Sequence, residues 1–211
     1  MTKNNELVKK GTNGMPKCYT NQEKDEIKRR LMEEAGYCMA QYGIKKTTVD
    51  ELVKRVGIPK GTFYLFYESK ERLLWEVILV AHEQMEREMA EKVAAVDLTG
   101  DTLDALTDLF LGFYQMAEEM PVLQILNSEE MNLLTKKIPA EEIAAHQKED
   151  TVEISRLFAQ IPLCDGVDIG AVTAAFHAIY FATLERDKIA PEDYEKGLRL
   201  LIGGVLMQIL A

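Results

Sequence analysis

A cation, a hydroxyl, a phenol and an apolar side chain stand close together at Lys60, Thr62, Tyr64 and Leu65. If the short helix carrying them turns Phe63 and Phe66 inward, these four are left on its open face. Side chains at the N-terminal end of such a helix are what meets base edges when it lies in the major groove of DNA. Other chemistries are poorly provided for. The histidines, His82, His146 and His177, belong to no HExxH pattern, and neither a GxSxG elbow nor a P-loop is present. Cys18, Cys38 and Cys164 are too scattered for a zinc site or a disulfide framework, and suit thiols in a reducing compartment. The expectation is a binding protein, not an enzyme, with no cofactor and no metal.

The elements that must position these residues read as helices. Thr20-x-x-Glu23 is a capping box, in which hydroxyl and carboxylate satisfy the orphan amides of a helix start. Ile27, Leu31, Ala35, Cys38, Met39 and Tyr42 follow at helical spacing until Gly43. A second box, Thr48-x-x-Glu51, opens a short helix with Val49, Leu52, Val53 and Val56, and Gly57 breaks it. Pro59 suits the start of a third helix running on through Tyr67. Two short helices around a glycine that can take positive φ form a helix-turn-helix pattern. Ser69 then caps a fourth helix, about Lys70 to Val96, with Leu74, Val77, Ile78, Ala81, Met85 and Met89 on one stripe. Further helices are expected near 102–119, 121–135, 140–161, 167–187 and 191–210, punctuated by Pro121, Pro139, Pro162 and Pro191. The fold class is all-α: an N-terminal three-helix helix-turn-helix domain and a larger C-terminal helical domain.

Charge follows the same division. Residues 1–70 hold 14 Lys and Arg against 9 Asp and Glu, a net of +5, whereas residues 71–211 hold 11 against 26, a net of −15. A basic part can approach a phosphate backbone while an acidic part is kept away. With 211 residues, 47% of them hydrophobic, the chain can bury a substantial core. No apolar run approaches the ~20 residues of a membrane span, and the start lacks a signal-peptide layout. A soluble, cytoplasmic protein is expected.

The run Thr47-Thr48-Val49-Asp50-Glu51-Leu52, then Gly57-Ile58-Pro59-Lys60-Gly61-Thr62-Phe63-Tyr64-Leu65-Phe66-Tyr67-Glu68-Ser69-Lys70-Glu71-Arg72-Leu73-Leu74, resembles the DNA-binding signature of the TetR family of bacterial repressors. The likeness covers about residues 24–80. It implies a flexible arm over 1–19, a DNA-binding domain over 20–80 with its motif at about 48–67, and a ligand-binding and dimerisation domain over 81–211. It also implies roles. Thr48 and Lys46 meet a phosphate at the start of the second helix, although Thr48 also serves as an N-cap and Lys46 as solvated surface. Lys60 contacts guanine edges or phosphate, and Gly61 lets the backbone approach DNA. Thr62 offers a methyl to thymine or a hydroxyl to phosphate. Tyr64 clamps a phosphate or packs with its hydroxyl at the rim, and Lys70 contacts phosphate. The chain departs from the family pattern at Val53, where alanine is common, and at Tyr67, where phenylalanine is usual. Leu65 and Phe66 stand where His or Tyr is frequent, which shifts the reading face toward apolar contact.

The resemblance further implies a homodimer joined by the last two long helices, through Phe176, Ile179, Tyr180, Leu198, Leu201, Ile202, Val205 and Leu206. Two recognition helices about 34–36 Å apart would then read a pseudo-palindromic operator in double-stranded DNA. A largely apolar small-molecule effector is expected among Phe110, Phe113, Tyr114, Leu126, Met131, His146, Phe158 and His177, residues that equally suit a plain core. The expected function is a ligand-responsive, sequence-specific transcriptional regulator, most simply a repressor that a small molecule releases. The alternative is a ligand-binding dimeric carrier or scaffold whose DNA binding is weak or lost.

Overall fold

The structure, a computed structural model, describes residues 19–124 and 128–211. The expected N-terminal arm up to residue 18, and Leu126, lie outside the described residues. Helix α1, Asn21–Lys46, begins at the expected box: Thr20 Oγ1 accepts from the Glu23 amide at 3.2 Å and Glu23 accepts from the Thr20 amide at 2.9 Å. Leu31, Ala35, Cys38 and Met39 are fully buried along it. Tyr42, counted with them by spacing, is exposed instead, because the chain leaves helical geometry at the next residue, Gly43, with φ +77°.

Helices α2, Val49–Val56, and α3, Lys60–Phe63, follow. Helix α3 is shorter than expected. Beyond it the amides of Leu65 and Phe66 bond three residues back, to Thr62 and Phe63, at 3.1 and 3.0 Å. That tighter turn ends regular α-helix while Phe63 and Tyr67 are buried and Phe66 packs against them. Helix α4, Lys70–Ala95, is capped by Ser69, whose hydroxyl accepts from the Arg72 amide at 3.2 Å.

The C-terminal half continues with α5 (Thr102–Glu119), α6 (Pro121–Gln124), α7 (Ser128–Thr135), α8 (Ala140–Phe158), α9 (Ile169–Thr183) and α10 (Pro191–Ile209). Asp101 and Asp168 cap α5 and α9 through the Asp104 and Ala171 amides, at 3.0 and 3.2 Å. Among the described residues the sole extended pairing is an isolated bridge between Leu163 and Leu210, which ties the α8–α9 connection to the end of α10.

Two apolar clusters form. The first joins α1–α3 and the start of α4, and it also takes in Leu134 and Ile138 from the far half of the chain. The second gathers Val93 with the inner faces of α5, α8, α9 and α10. Helix α4 runs through both. The head is thus held by α4 and, independently, by α7, whose Leu134 is as fully buried as any residue of α1.

Candidate nucleic-acid interface

The exposed face of α2 and α3 depends on the corner between α1 and α2. Gly43 adopts the left-handed conformation that glycine takes at least cost, and the segment Ile44–Thr47 is then tied down from several directions. The Ile44 amide donates to Glu130 Oε2 of α7 at 2.8 Å. Lys70 Nζ donates to the Ile44 and Thr47 carbonyls at 2.8 and 2.7 Å. Thr47 is buried, with its hydroxyl donating to the Gly43 carbonyl at 2.8 Å.

This corner delivers Thr48 to the N-cap of α2, where its hydroxyl accepts from the Glu51 amide at 3.2 Å. The expected second capping box is only half made. Glu51 turns its carboxylate to Arg55 Nε at 2.8 Å, and Arg55 also reaches Glu34 at 3.2 Å and lies over the Tyr37 ring. Arg55 outcompetes the backbone amide because a charged pair one turn along a helix is well aligned. Lys46 and Thr48 are both exposed, beside the α2 N-terminus, where helix amides and dipole favour an anion.

Gly57 makes the turn with φ +76°, its amide bonded to the Val53 carbonyl at 2.9 Å. Val53, Leu52, Val56 and Phe63 are buried behind α3, so the larger residue at 53 is absorbed by the core. On the open side Leu65 is 71% exposed and Tyr64 52%, with the Tyr64 ring edge-on to Phe63 at 5.3 Å. The tyrosine therefore keeps both readings: its ring is braced from behind and its phenol is free at the surface. Lys60 is exposed, but its ammonium lies 2.9 Å from Asp50 Oδ1, a carboxylate that raises its pKa. A Cβ placed on Gly61 would meet nothing within 4 Å.

Thr62 corrects the sequence reading. It is only 7% exposed, on the inner side of α3, and its hydroxyl lies 3.3 Å from the Tyr19 hydroxyl. Two positions after Lys60 a helix has turned by more than half a revolution, so Lys60 and Thr62 do not share a face. Lys70 is also tied more closely than a free phosphate ligand, with two of its three N–H groups engaged by the corner. Tyr67 places a buried hydroxyl without a hydrogen-bond partner where the core is otherwise apolar, and burial pushes its ionisation up.

The model for "Bacterial regulatory proteins, tetR family" matches residues 31–77, the stretch that builds this head. This head is similar to the DNA-binding part of TetR-family regulators. Over 64 residues it is 33% identical to the HTH-type transcriptional regulator YhgD of Bacillus subtilis (strain 168), covering 30% of this chain and 34% of that one. Over 75 residues it is 37% identical to the HTH-type transcriptional repressor AcnR of Corynebacterium jeikeium (strain K411), covering 36% and 38%. The chain thus spans about a third of the length of these curated relatives. The whole TetR fold is matched by solved structures. A TetR family transcription regulator from Marinobacter aquaeolei VT8 covers 90% of this chain and 98% of its own, with a TM-score of 0.59 at 16% identity. SmeT, the repressor of the Stenotrophomonas maltophilia multidrug efflux pump SmeDEF, covers 87% and 90%, with a TM-score of 0.60 at 17% identity.

The C-terminal half of the chain places several expected residues differently. Phe110, Phe113, Phe158 and Phe176 pack ring against ring, with centroids 4.4 to 5.6 Å apart, and Tyr114 donates to the Phe176 carbonyl at 2.9 Å. They pack into the core of this half. Met131 falls on α7, and His146, on α8, lies against Trp75 and His82 of α4. His177 is exposed on α9. A cavity of about 340 Å³ lies instead at the far end of α5, bounded by Ala117, Glu118, Leu123, Tyr180, Thr183, Leu184, Arg186 and Asp187. Glu118 accepts there from Arg186 at 2.8 Å and from the Tyr194 hydroxyl at 2.5 Å.

The outer face of α9 and α10 is also re-registered. Phe176, Ile179, Leu198, Ile202 and Leu206 are buried within the protomer, and Tyr180 and Val205 are half-buried. Of the expected contact residues Leu201 is exposed, and Phe181, Leu200 and Met207 join it outside. Each helix has one apolar side for its own core and a second for the surface, and sequence periodicity alone does not separate the two sides. Glu130, Asp50 and Tyr19 had no sequence signal, since each acts on a partner distant in the chain or on another helix. Gly43 alone hinted at a special corner. Among the described residues no group of three His, Cys, Asp or Glu is placed to hold a metal, and no helix is long and apolar enough to cross a membrane.

Proposed function

We propose that this chain is a sequence-specific, ligand-responsive DNA-binding transcriptional regulator, acting in the cytoplasm as a homodimeric repressor of a pseudo-palindromic operator. The observation that carries the reading is the presentation of Lys46, Thr48, Lys60, Gly61, Tyr64 and Leu65 on the outside of a head whose corner is pinned by Glu130 and Lys70. Lys46, Thr48 and Tyr64 supply phosphate contacts, which set register. Lys60 and Leu65 supply base-edge contacts, the latter with thymine methyls. Thr62 supports the helix from within, and Lys70 acts mainly by holding the corner.

Dimerisation uses the outer side of α9 and α10, where Phe181, Leu200, Leu201 and Met207 form an exposed apolar face. Such a face on two adjacent helices suits a two-fold partner presenting the same surface. The effector is a small molecule that enters the cavity beside Glu118 and Tyr180, a volume within the range of ligand sites. Its lining is more polar than the sequence suggested. The solved SmeT structure in complex with triclosan offers a precedent for ligand binding on this fold, at 16% identity and a TM-score of 0.59. Release from DNA requires that the effector bind the DNA-incompetent arrangement better, since equal affinity shifts nothing.

The deciding experiment is selection from a pool of random duplexes, followed by titration at two salt concentrations. Enrichment of a two-fold-related sequence, with log affinity falling linearly in log salt, establishes the regulator. Absence of enrichment favours the dimeric carrier.

A further inference from the structure

The carboxylate of Glu130 belongs to the C-terminal half, yet it accepts a hydrogen bond from the backbone of the DNA-binding head, at the Ile44 amide. That amide follows a left-handed residue, which interrupts the helical ladder at this point and leaves a donor in need of an acceptor. The fit is close on both sides. A Cβ at Gly43 would come within 3.2 Å of Glu130 Oε1, so any larger residue there would crowd the carboxylate as well as strain the left-handed backbone. The base of the contact is rigid, because Leu134, one turn along α7, is fully buried in the head's own core and Ile138 nearly so.

An acidic group beside a surface meant for phosphate is electrostatically unfavourable for DNA binding. Its presence is explained if what it positions outweighs its charge. The residues downstream of Ile44 are Lys46 and Thr48, the two exposed groups at the α2 N-terminus. On the reading of the head as a DNA-binding domain, we infer that Glu130 is the positioning residue by which the C-terminal domain holds the Lys46–Thr48 phosphate contact in its binding geometry. Helix α7 is thereby a second connection from the C-terminal domain to the DNA face, separate from α4.

The inference has a sign that simple charge removal does not share. Glu130→Gln removes the charge and keeps an oxygen acceptor; Glu130→Ala removes both. For the duplex enriched from the random pool, Glu130→Gln is expected to bind as tightly as the parent or more tightly. Glu130→Ala is expected to bind about tenfold more weakly, within the 5–150-fold range of coupling between sites. Its log–log salt slope should fall by about one per protomer as a phosphate contact is lost. In the Glu130→Ala background, Lys46→Ala should add little, a non-additivity that marks two residues acting as one unit. Hydrogen exchange at the Ile44 amide should quicken in the alanine variant and stay slow in the glutamine variant. Salt-sensitive binding by the parent, together with an unchanged slope or additive effects in the alanine variant, overturns the role of Glu130 and leaves the regulator standing. A parent that binds no duplex overturns both.

Discussion

The ammonium of Lys70 and the carboxylate of Glu130 act on opposite ends of one residue, Ile44: Lys70 donates to its carbonyl and Glu130 accepts from its amide, each at 2.8 Å. The first comes from the start of α4 and the second from α7, so the corner that precedes α2 is fixed by two elements outside α1 and α2. Lys70 also caps the Thr47 carbonyl, which makes it structural before any DNA is present. Hydrogen bonds from a charged donor contribute about 1.5–3 kcal/mol. Lys70→Met is therefore expected to lower the free energy of unfolding by about that amount in urea titrations, and to weaken DNA binding with it. A variant that binds DNA poorly yet unfolds like the parent would return Lys70 to a purely phosphate-contacting role.

Gly61 separates stability from binding. A Cβ there meets nothing inside the protein, and alanine is preferred over glycine in a helix by up to about 1 kcal/mol. Gly61→Ala is expected to be neutral or stabilising in thermal unfolding. If the position is glycine because DNA comes close, the same variant loses operator affinity at least severalfold. Improved stability with unchanged DNA binding would remove Gly61 from the interface.

The Tyr67 hydroxyl is a cost within the head's core. It is buried without a hydrogen bond of good geometry, and burial first, then the nearby Glu76 carboxylate, pull its ionisation up. An unsatisfied buried hydroxyl costs about 1–3 kcal/mol. Tyr67→Phe is thus expected to raise the urea midpoint with little change in the slope of the transition. A lowered midpoint would mean that the hydroxyl has a partner in solution, with the Glu76 carboxylate the first candidate.

What the sequence made legible was local. Thr20 with Glu23, Gly57, and Ser69 act within a few residues of themselves, and their caps and turns formed as read. Thr62 was misread because the helix around it is too short for a periodic pattern to show which side is inner. The faces of α9 and α10 were misassigned because a helix apolar on two sides does not reveal which side its own protomer covers. The Glu130–Ile44 contact joins residues 86 positions apart, and no spacing rule reaches that far. The aromatic stripe of α5 was legible as apolar, but whether rings stack on one another or leave a cavity is decided by packing, and here they stack.

The re-registered outer face yields a contrast within one helix. Leu201 and Met207 are 51% and 71% exposed, whereas Ile202 between them is fully buried. Leu201→Glu and Met207→Glu are expected to yield folded monomers in sedimentation equilibrium, since a charge desolvated at a two-fold interface meets its own copy or near neighbours. Ile202→Ala should instead destabilise each protomer by about 2–5 kcal/mol, the usual range for a truncated core side chain. Unaltered association in both glutamate variants would move the interface elsewhere.

The pairing of Lys60 with Asp50 bears on specificity. Helix α3, the proposed recognition helix, opens with a cation whose charge is already matched, 2.9 Å from a carboxylate on α2. A matched lysine attracts phosphate in general less strongly, while its remaining N–H groups can still reach a guanine edge. Asp50→Asn frees that charge. Binding to random duplex is then expected to strengthen severalfold at low salt, with the salt slope steeper by about one per protomer. Affinity for the selected operator should change less, so the ratio of specific to non-specific binding falls. Fluorescence anisotropy with both duplexes at two salt concentrations measures that ratio. Equal strengthening on the two duplexes would make Asp50 a plain repulsive charge, and no change on either would mean that the pair is not maintained in solution.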